Sequence, residues 1–128
     1  MQFAYTMIFV ENVPETLDFY VKAFKLKKLF LAESLLYGEL ETGTTKLAFV
    51  DEKFAADNGN DFTQNRKGMQ KMPGFEIAFT TDDVTANYQH AINSGCIAVH
   101  EPRQTPWGQT VANVRDLNGI LVEICSPL

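Results

Sequence analysis

Tyr5-Thr-Met-Ile-Phe-Val-Glu-Asn-Val-Pro-Glu-Thr-Leu-Asp-Phe-Tyr-Val-Lys-Ala-Phe24 and Glu76-Ile-Ala-Phe-Thr-Thr-Asp-Asp-Val-Thr-Ala-Asn-Tyr-Gln-His-Ala-Ile-Asn-Ser-Gly95 are degenerate copies of one pattern. Tyr5 and Glu76, Asn12 and Asp83, Val13 and Val84, and Val21 and Ile92 all keep one constant offset. In each copy an apolar strand runs into an Asx residue, and a Val then opens a series at helical spacing. That series is Val13, Leu17, Tyr20, Val21 in the first copy and Val84, Tyr88, Ala91, Ile92 in the second. A period of about half the chain predicts two similar modules sharing one fold. Matched residues are then expected to face each other across a cleft.

The remainder of each copy reads the same way. Asn12-Val-Pro-Glu15 is a helix start, with Asn12 as cap, Pro14 in the first turn and Glu15 closing a capping-box-like pair. The helix is expected to run to about Leu26, followed by short strands at 29–33, 36–41 and 46–51. From Glu52 to Pro73 the chain turns polar and irregular, a connection with room for one short helix near Ala55. Loops of this length either cover a site or form a mobile surface linker. The second module is expected as a strand at 75–81, a helix at 83–94 stopped by Gly95, and strands near 97–100, 110–115 and 120–125. Asn118-Gly119 signals the last hairpin. Each half is therefore strand, helix, strand, strand, strand, with module one at 1–51, the connection at 52–73 and module two at 74–128.

Composition narrows the function classes. A chain of 128 residues with 45% hydrophobic and 21% charged residues has an ordinary globular balance. A net charge of −5 argues against a nucleic-acid partner, whose footprint is basic. No apolar run approaches the roughly 18 residues of a membrane span. Cys96 and Cys125 form no disulfide framework, so a cytoplasmic protein with reduced thiols is expected.

Asn12-Val-Pro-Glu-Thr-Leu-Asp-Phe-Tyr20 with Phe24-Lys-Leu26, and the closing Asp116-Leu-Asn-Gly-Ile-Leu-Val-Glu123, resemble the vicinal oxygen chelate superfamily. That superfamily includes glyoxalase I, bleomycin-resistance proteins and extradiol dioxygenases. The resemblance covers the whole chain. It implies an α+β fold of two βαβββ modules forming a half-barrel cup, with the helices outside. It also implies that four positions line the family's metal site: Tyr5, Ala48, Glu76 and Glu123. Tyr5 stands where glyoxalase-like members usually have His, and Ala48 where a ligand Glu often sits. A divalent ion (Ni, Mn, Mg or Zn) would therefore rest on Glu76 and Glu123 with help from water and substrate oxygens.

Side-chain alternation places Leu121, Glu123 and Cys125 on one face of the last strand, opposite Ile120, Val122 and Ile124. A carboxylate within an apolar strand is costly unless it meets solvent, a partner or a cation. Glu76 poses the same question beside Ile77 and Phe79. Either both lie on a solvated sheet face or accept bonds from a Tyr or Arg, or they serve binding or metal duty. His90 is expected to face solvent, and His100, ending a strand, could rim the cleft as an acid or base. Trp107 either walls an apolar pocket or caps the core. Arg115 either meets an anionic ligand or pairs with Asp116, and Cys125 is either a core residue or a pocket thiol.

The expected function is binding of a small organic molecule in the cup, with a degenerate metal site or none. Glu76 and Glu123 are the anchors, with Tyr5, Ala48, Trp107, Arg115 and Cys125 around them. The competing expectation is a metal-dependent, lactoylglutathione-lyase-like lyase or isomerase in which Glu123 or Glu76 moves a proton beside a carbonyl. A homodimer is expected in either case.

Overall fold

Asn12 ends the first strand and begins the first helix, as its backbone and side chain require. Its backbone is extended (φ −142°), and its Oδ1 accepts the Glu15 N–H at 2.9 Å. The helix that follows, α1 (Val13–Phe24), stops at Lys25, which takes the left-handed conformation (φ 57°) that glycine usually supplies. Asp83 repeats the device: its Oδ1 accepts the Ala86 N–H at 2.9 Å at the start of α3 (Val84–Asn93). The short helix expected near Ala55 is α2 (Glu52–Asp57), capped by Asp51.

The computed structural model describes all 128 residues and divides them into two units, Met1–Asn65 and Arg66–Leu128. The expected connection is thus shared, 52–65 going with the first unit and 66–73 with the second. The strands of the first unit are β1 (Tyr5–Val10), β2 (Lys27–Leu31), β3 (Tyr37–Glu41) and β4 (Lys46–Asp51), in sheet order β1-β4-β3-β2. Those of the second are β5 (Glu76–Thr80), β6 (Ile97–Gln104), β7 (Thr110–Arg115) and β8 (Leu121–Cys125), in order β5-β8-β7-β6. In each sheet the first strand pairs parallel with the last, and the other pairs are antiparallel. The protein is therefore α+β, built of two βαβββ modules.

Register carries the repeat into three dimensions. Met7 pairs with Ala48 in the first sheet, and Ala78 pairs with Glu123 at the matching place in the second. Each sheet turns one face to its helix. In the first unit that face carries Ile8, Val10, Leu40, Leu47 and Phe49, all buried. The Tyr20 ring of α1 lies 5.0 Å from that of Phe49. Gly38 belongs to the same face, and a Cβ there would run into the Leu17 side chain of α1. In the second unit Ala112, Val114, Val122 and Ile124 are the buried counterparts beneath α3.

Three elements differ from expectation, of which β2 (Lys27–Leu31) simply lies two residues before the expected 29–33. The strand expected to stop at His100 continues to Gln104 as the border strand of its sheet, and it carries bulges between Ala98 and His100 and between His100 and Arg103. Pro102 is tolerated there because border strands and bulges do not need every N–H. The Asn118-Gly119 hairpin forms, but only Gly119 has a positive φ (85°), so it is not the mirror-image turn that this dipeptide favours. Instead the buried Asp116 carboxylate accepts the N–H groups of Asn118 (2.7 Å) and Ile120 (2.9 Å).

Candidate functional site

The face of the second sheet turned away from α3 carries three rows of side chains. Glu76, Leu121, Arg115 and Ile97 form the first row; Ala78, Glu123, Asn113 and His100 the second; Thr80, Cys125, Val111 and Arg103 the third. The two bulges in β6 make this possible. Each inserts one residue, so that Ile97, His100 and Arg103, spaced by three, all reach one face of a strand whose period is two.

Asn113 is the centre of this face. It is only 4% exposed, and its amide is fixed by what surrounds it. Arg103, which can only donate, points Nη1 and Nη2 at Asn113 Oδ1, both at 3.1 Å. Nδ2 then faces Glu76 Oε2 at 3.4 Å, so Asn113 links a guanidinium to a carboxylate. With Oδ1 established as acceptor, the His100 Nδ1 lying 3.2 Å away must carry a proton.

Glu123 is half-buried and sits directly opposite Asn113. Its close partner is Cys125, whose thiol is pushed up from 9.0 by burial first, then by the Glu123 charge and a hydrogen bond to it. The Cys125 Sγ also lies 3.7 Å from the Phe79 carbonyl oxygen. Cys125 is therefore a protonated, inert thiol at neutral pH, serving as a buried wall of the face.

The carboxylates resolve differently from one another. Glu76 is solvent-exposed on β5, a border strand, so no desolvation cost attaches to it. Glu123, on an inner strand, is the one held partly out of water. The two share a face but are diagonal neighbours, since Glu76 pairs with Leu121 and Glu123 with Ala78. No group of three His, Cys, Asp or Glu side chains is placed to hold a metal ion anywhere in the chain. The guanidinium of Arg103, one amide away from Glu76, opposes a second cation there. These residues do not compose a divalent-metal site by themselves.

Arg115 neither pairs with Asp116 nor stands free. Its Nη1 donates to the Met69 carbonyl at 2.6 Å and Nη2 to that of Gln70 at 3.3 Å, tying the 66–70 segment to the end of β7. Gly119 permits the same approach, because a Cβ there would collide with the Arg66 carbonyl oxygen. Gln70, at the end of that segment, walls a shallow groove of about 630 Å³ with Met72, Pro73, Phe75, Glu76, Arg115 and Leu121. Trp107 caps no core: it is 67% exposed on the β6–β7 loop, its indole N–H donating to Gln109 Oε1 at 2.9 Å.

The first unit's counterpart face carries Tyr5, Met7, Phe30, Tyr37, Glu39 and Ala48. Ala48 occupies the place Glu123 holds in the second sheet, is fully buried and offers no ligand. Tyr5 is 45% exposed at the start of the border strand β1. Glu39, the counterpart of Asn113, accepts the Tyr37 hydroxyl at 2.7 Å. Sequence reading singled out neither Asn113 and Arg103 nor Glu39 and Tyr37. Pro102 inside a strand was the one available sign that β6 is bulged.

A family model for the Glyoxalase/Bleomycin resistance protein/Dioxygenase superfamily matches residues 2–124, and the chain belongs to that superfamily. Among solved structures it is similar to a glyoxalase-related enzyme from Fulvimarina pelagi (TM-score 0.82, 16% identity, 99% of this chain and 88% of that one). It is also similar to a glyoxalase/bleomycin resistance protein/dioxygenase family enzyme from Burkholderia phytofirmans PsJN (TM-score 0.79, 19% identity, 100% of both chains). A third, TioX from Micromonospora sp. ML1, aligns with a TM-score of 0.73 at 19% identity over 100% of both chains. At these identities the likeness is one of fold. No curated protein matches the chain. No helix is long and apolar enough to cross a membrane.

Proposed function

We propose that this protein binds a small organic molecule on the open face of its second sheet, and that it is a binder and not a lyase. Glu123 and Glu76 are the polar anchors, and Asn113, opposite Glu123 and bonded to Glu76, is the fixed amide beside them. The groove beside Glu76 takes the apolar part of the ligand. The observation that carries this reading is the near-complete burial of Asn113 while it spans Arg103, His100 and Glu76. A preorganised polar array beside an apolar groove is the composition of a ligand site. The reading treats the chain as one vicinal-oxygen-chelate domain, acting in the cytoplasm as a homodimer, with no nucleic-acid or membrane partner.

The lyase alternative requires a divalent ion, and the donor set around Glu76 and Glu123 is poor for one. Thermal melts against a compound library, repeated with Glu123→Gln and Glu76→Gln, test the proposal. A hit that stabilises the native chain and loses most of its effect in both variants supports binding on this face. A hit unaffected by either substitution overturns it. Stoichiometric Ni, Mn, Mg or Zn that is lost in Glu123→Gln, together with turnover of a glutathione hemithioacetal, would establish the lyase instead.

A further inference from the structure

One wall of the groove beside Glu76 is not supplied by the sheet. Residues 66–75 contain neither helix nor strand, and none of them is fully buried. Gln70, Lys71 and Gly74 are exposed, while Met69, Met72 and Pro73 are half-buried. Apolar burial therefore does little to hold this strap in place. The hairpin joining β7 to β8 meets it instead. At one end of that hairpin the Arg115 guanidinium donates through Nη1 to the Met69 carbonyl and through Nη2 to that of Gln70. At the other, Gly119 leaves the space that the Arg66 carbonyl and the Met69 side chain occupy. Between them the buried Asp116 carboxylate accepts the N–H groups of Asn118 and Ile120 and keeps the hairpin rigid.

Two successive carbonyls taken by one planar fork fix the orientation of the strap as well as its distance. Both bonds are assisted by the guanidinium charge, which makes them stronger than bonds between neutral groups. Arg115 also lines the groove itself, together with Leu121 and Glu76 from the sheet and Met72, Pro73 and Phe75 from the strap. The same residue thus belongs to the floor and sets where the wall stands.

We infer that Arg115 is the positioning residue of this groove: its fork on the Met69 and Gln70 carbonyls holds the strap as the outer wall. A strap released from that fork leaves the groove open on one side and unable to grip an apolar body. The inference rests on the proposed reading that the groove takes the apolar part of the ligand. Arg115 serves that ligand through the strap and not by contact with it.

The neutral apolar probe 2-naphthol is titrated into the labelled full chain and followed by amide chemical shifts, alongside backbone relaxation and trypsin digestion. In Arg115→Ala, order parameters over 69–74 are expected to fall from about 0.85, a rigid backbone, to below about 0.6. Trypsin should then cut after Lys71 about tenfold faster, and saturable 2-naphthol shifts at Phe75 and Leu121 should weaken about tenfold. Val114 and Val122 should keep their native shifts, which shows that the sheet survives. Arg115→Lys, which keeps the charge without the fork, should resemble Arg115→Ala. Ethylguanidinium added to Arg115→Ala should restore both the order of the strap and the affinity, which mere loss of packing would not allow. An equally ordered strap in Arg115→Ala, a loosened strap with undiminished affinity, or no rescue would each overturn the inference and leave the proposed site standing. A strap that loosens as expected in a chain whose native form gives no saturable 2-naphthol shift would overturn the groove as a ligand site, and the positioning role with it.

Discussion

Asn113 and Glu123 stand directly opposite one another on β7 and β8, the first sealed from solvent and the second half-buried. An amide whose two ends are both committed, to Arg103 and to Glu76, forms a rigid floor beside a carboxylate that remains available.

Asn113→Ala should therefore act on stability as well as on binding. It removes the acceptor shared by Arg103 and His100 and the donor facing Glu76. All three of those partners are exposed and can turn to water, so the loss should stay within about 1–3 kcal/mol. Urea unfolding measures it. A change much below this range would show that the array is not held together by the amide.

Alkali should destabilise the fold by a route that Cys96 makes visible. Burial first, and then the nearby Asp116, push its thiol from 9.0 up to about 12, while Lys67 pulls weakly the other way. The unfolded thiol releases its proton before the folded one does. The contribution is therefore fully present below pH 9 and is lost progressively as pH rises toward 12. Cys125 and Tyr37 act in the same direction. Melting temperature followed against pH should fall less steeply above pH 9 in Cys96→Ala than in the native chain. Parallel curves would contradict this account of the thiol.

Gly38→Ala should destabilise the first unit, because the added methyl enters space already taken by Leu17 and crowds Val13. Overpacking of this kind costs about 1–3 kcal/mol. The combined change Gly38→Ala with Leu17→Ala should recover part of that loss, leaving the pair less destabilised than the sum of its single changes. Denaturant melts of the three variants decide the matter.

The repeat was legible in the sequence because caps and helical stripes are local. Asn12 and Asp83 announce their helices within four residues, and the alternation around Glu123 assigns it a face unaided. The partners on that face were not legible. Arg103 joins it only through two inserted residues in β6, and a bulge changes which side a side chain takes without altering composition. Asn113 gave no sign either, since an Asn flanked by Ala112 and Val114 is ordinary until the register places it opposite Glu123. Arg115 was readable as a cation in need of a partner, but its partners are backbone carbonyls of Met69 and Gln70, which every sequence has.

The irregular outer border of the second sheet has a consequence for how the chain behaves at high concentration. A long strand with free N–H and C=O groups invites another molecule to zip onto it. Here Pro102 withholds one donor and the two inserted residues break the even spacing that an incoming strand would have to match. The distortion that brings His100 and Arg103 onto the open face thus also blunts the rim against templated self-association.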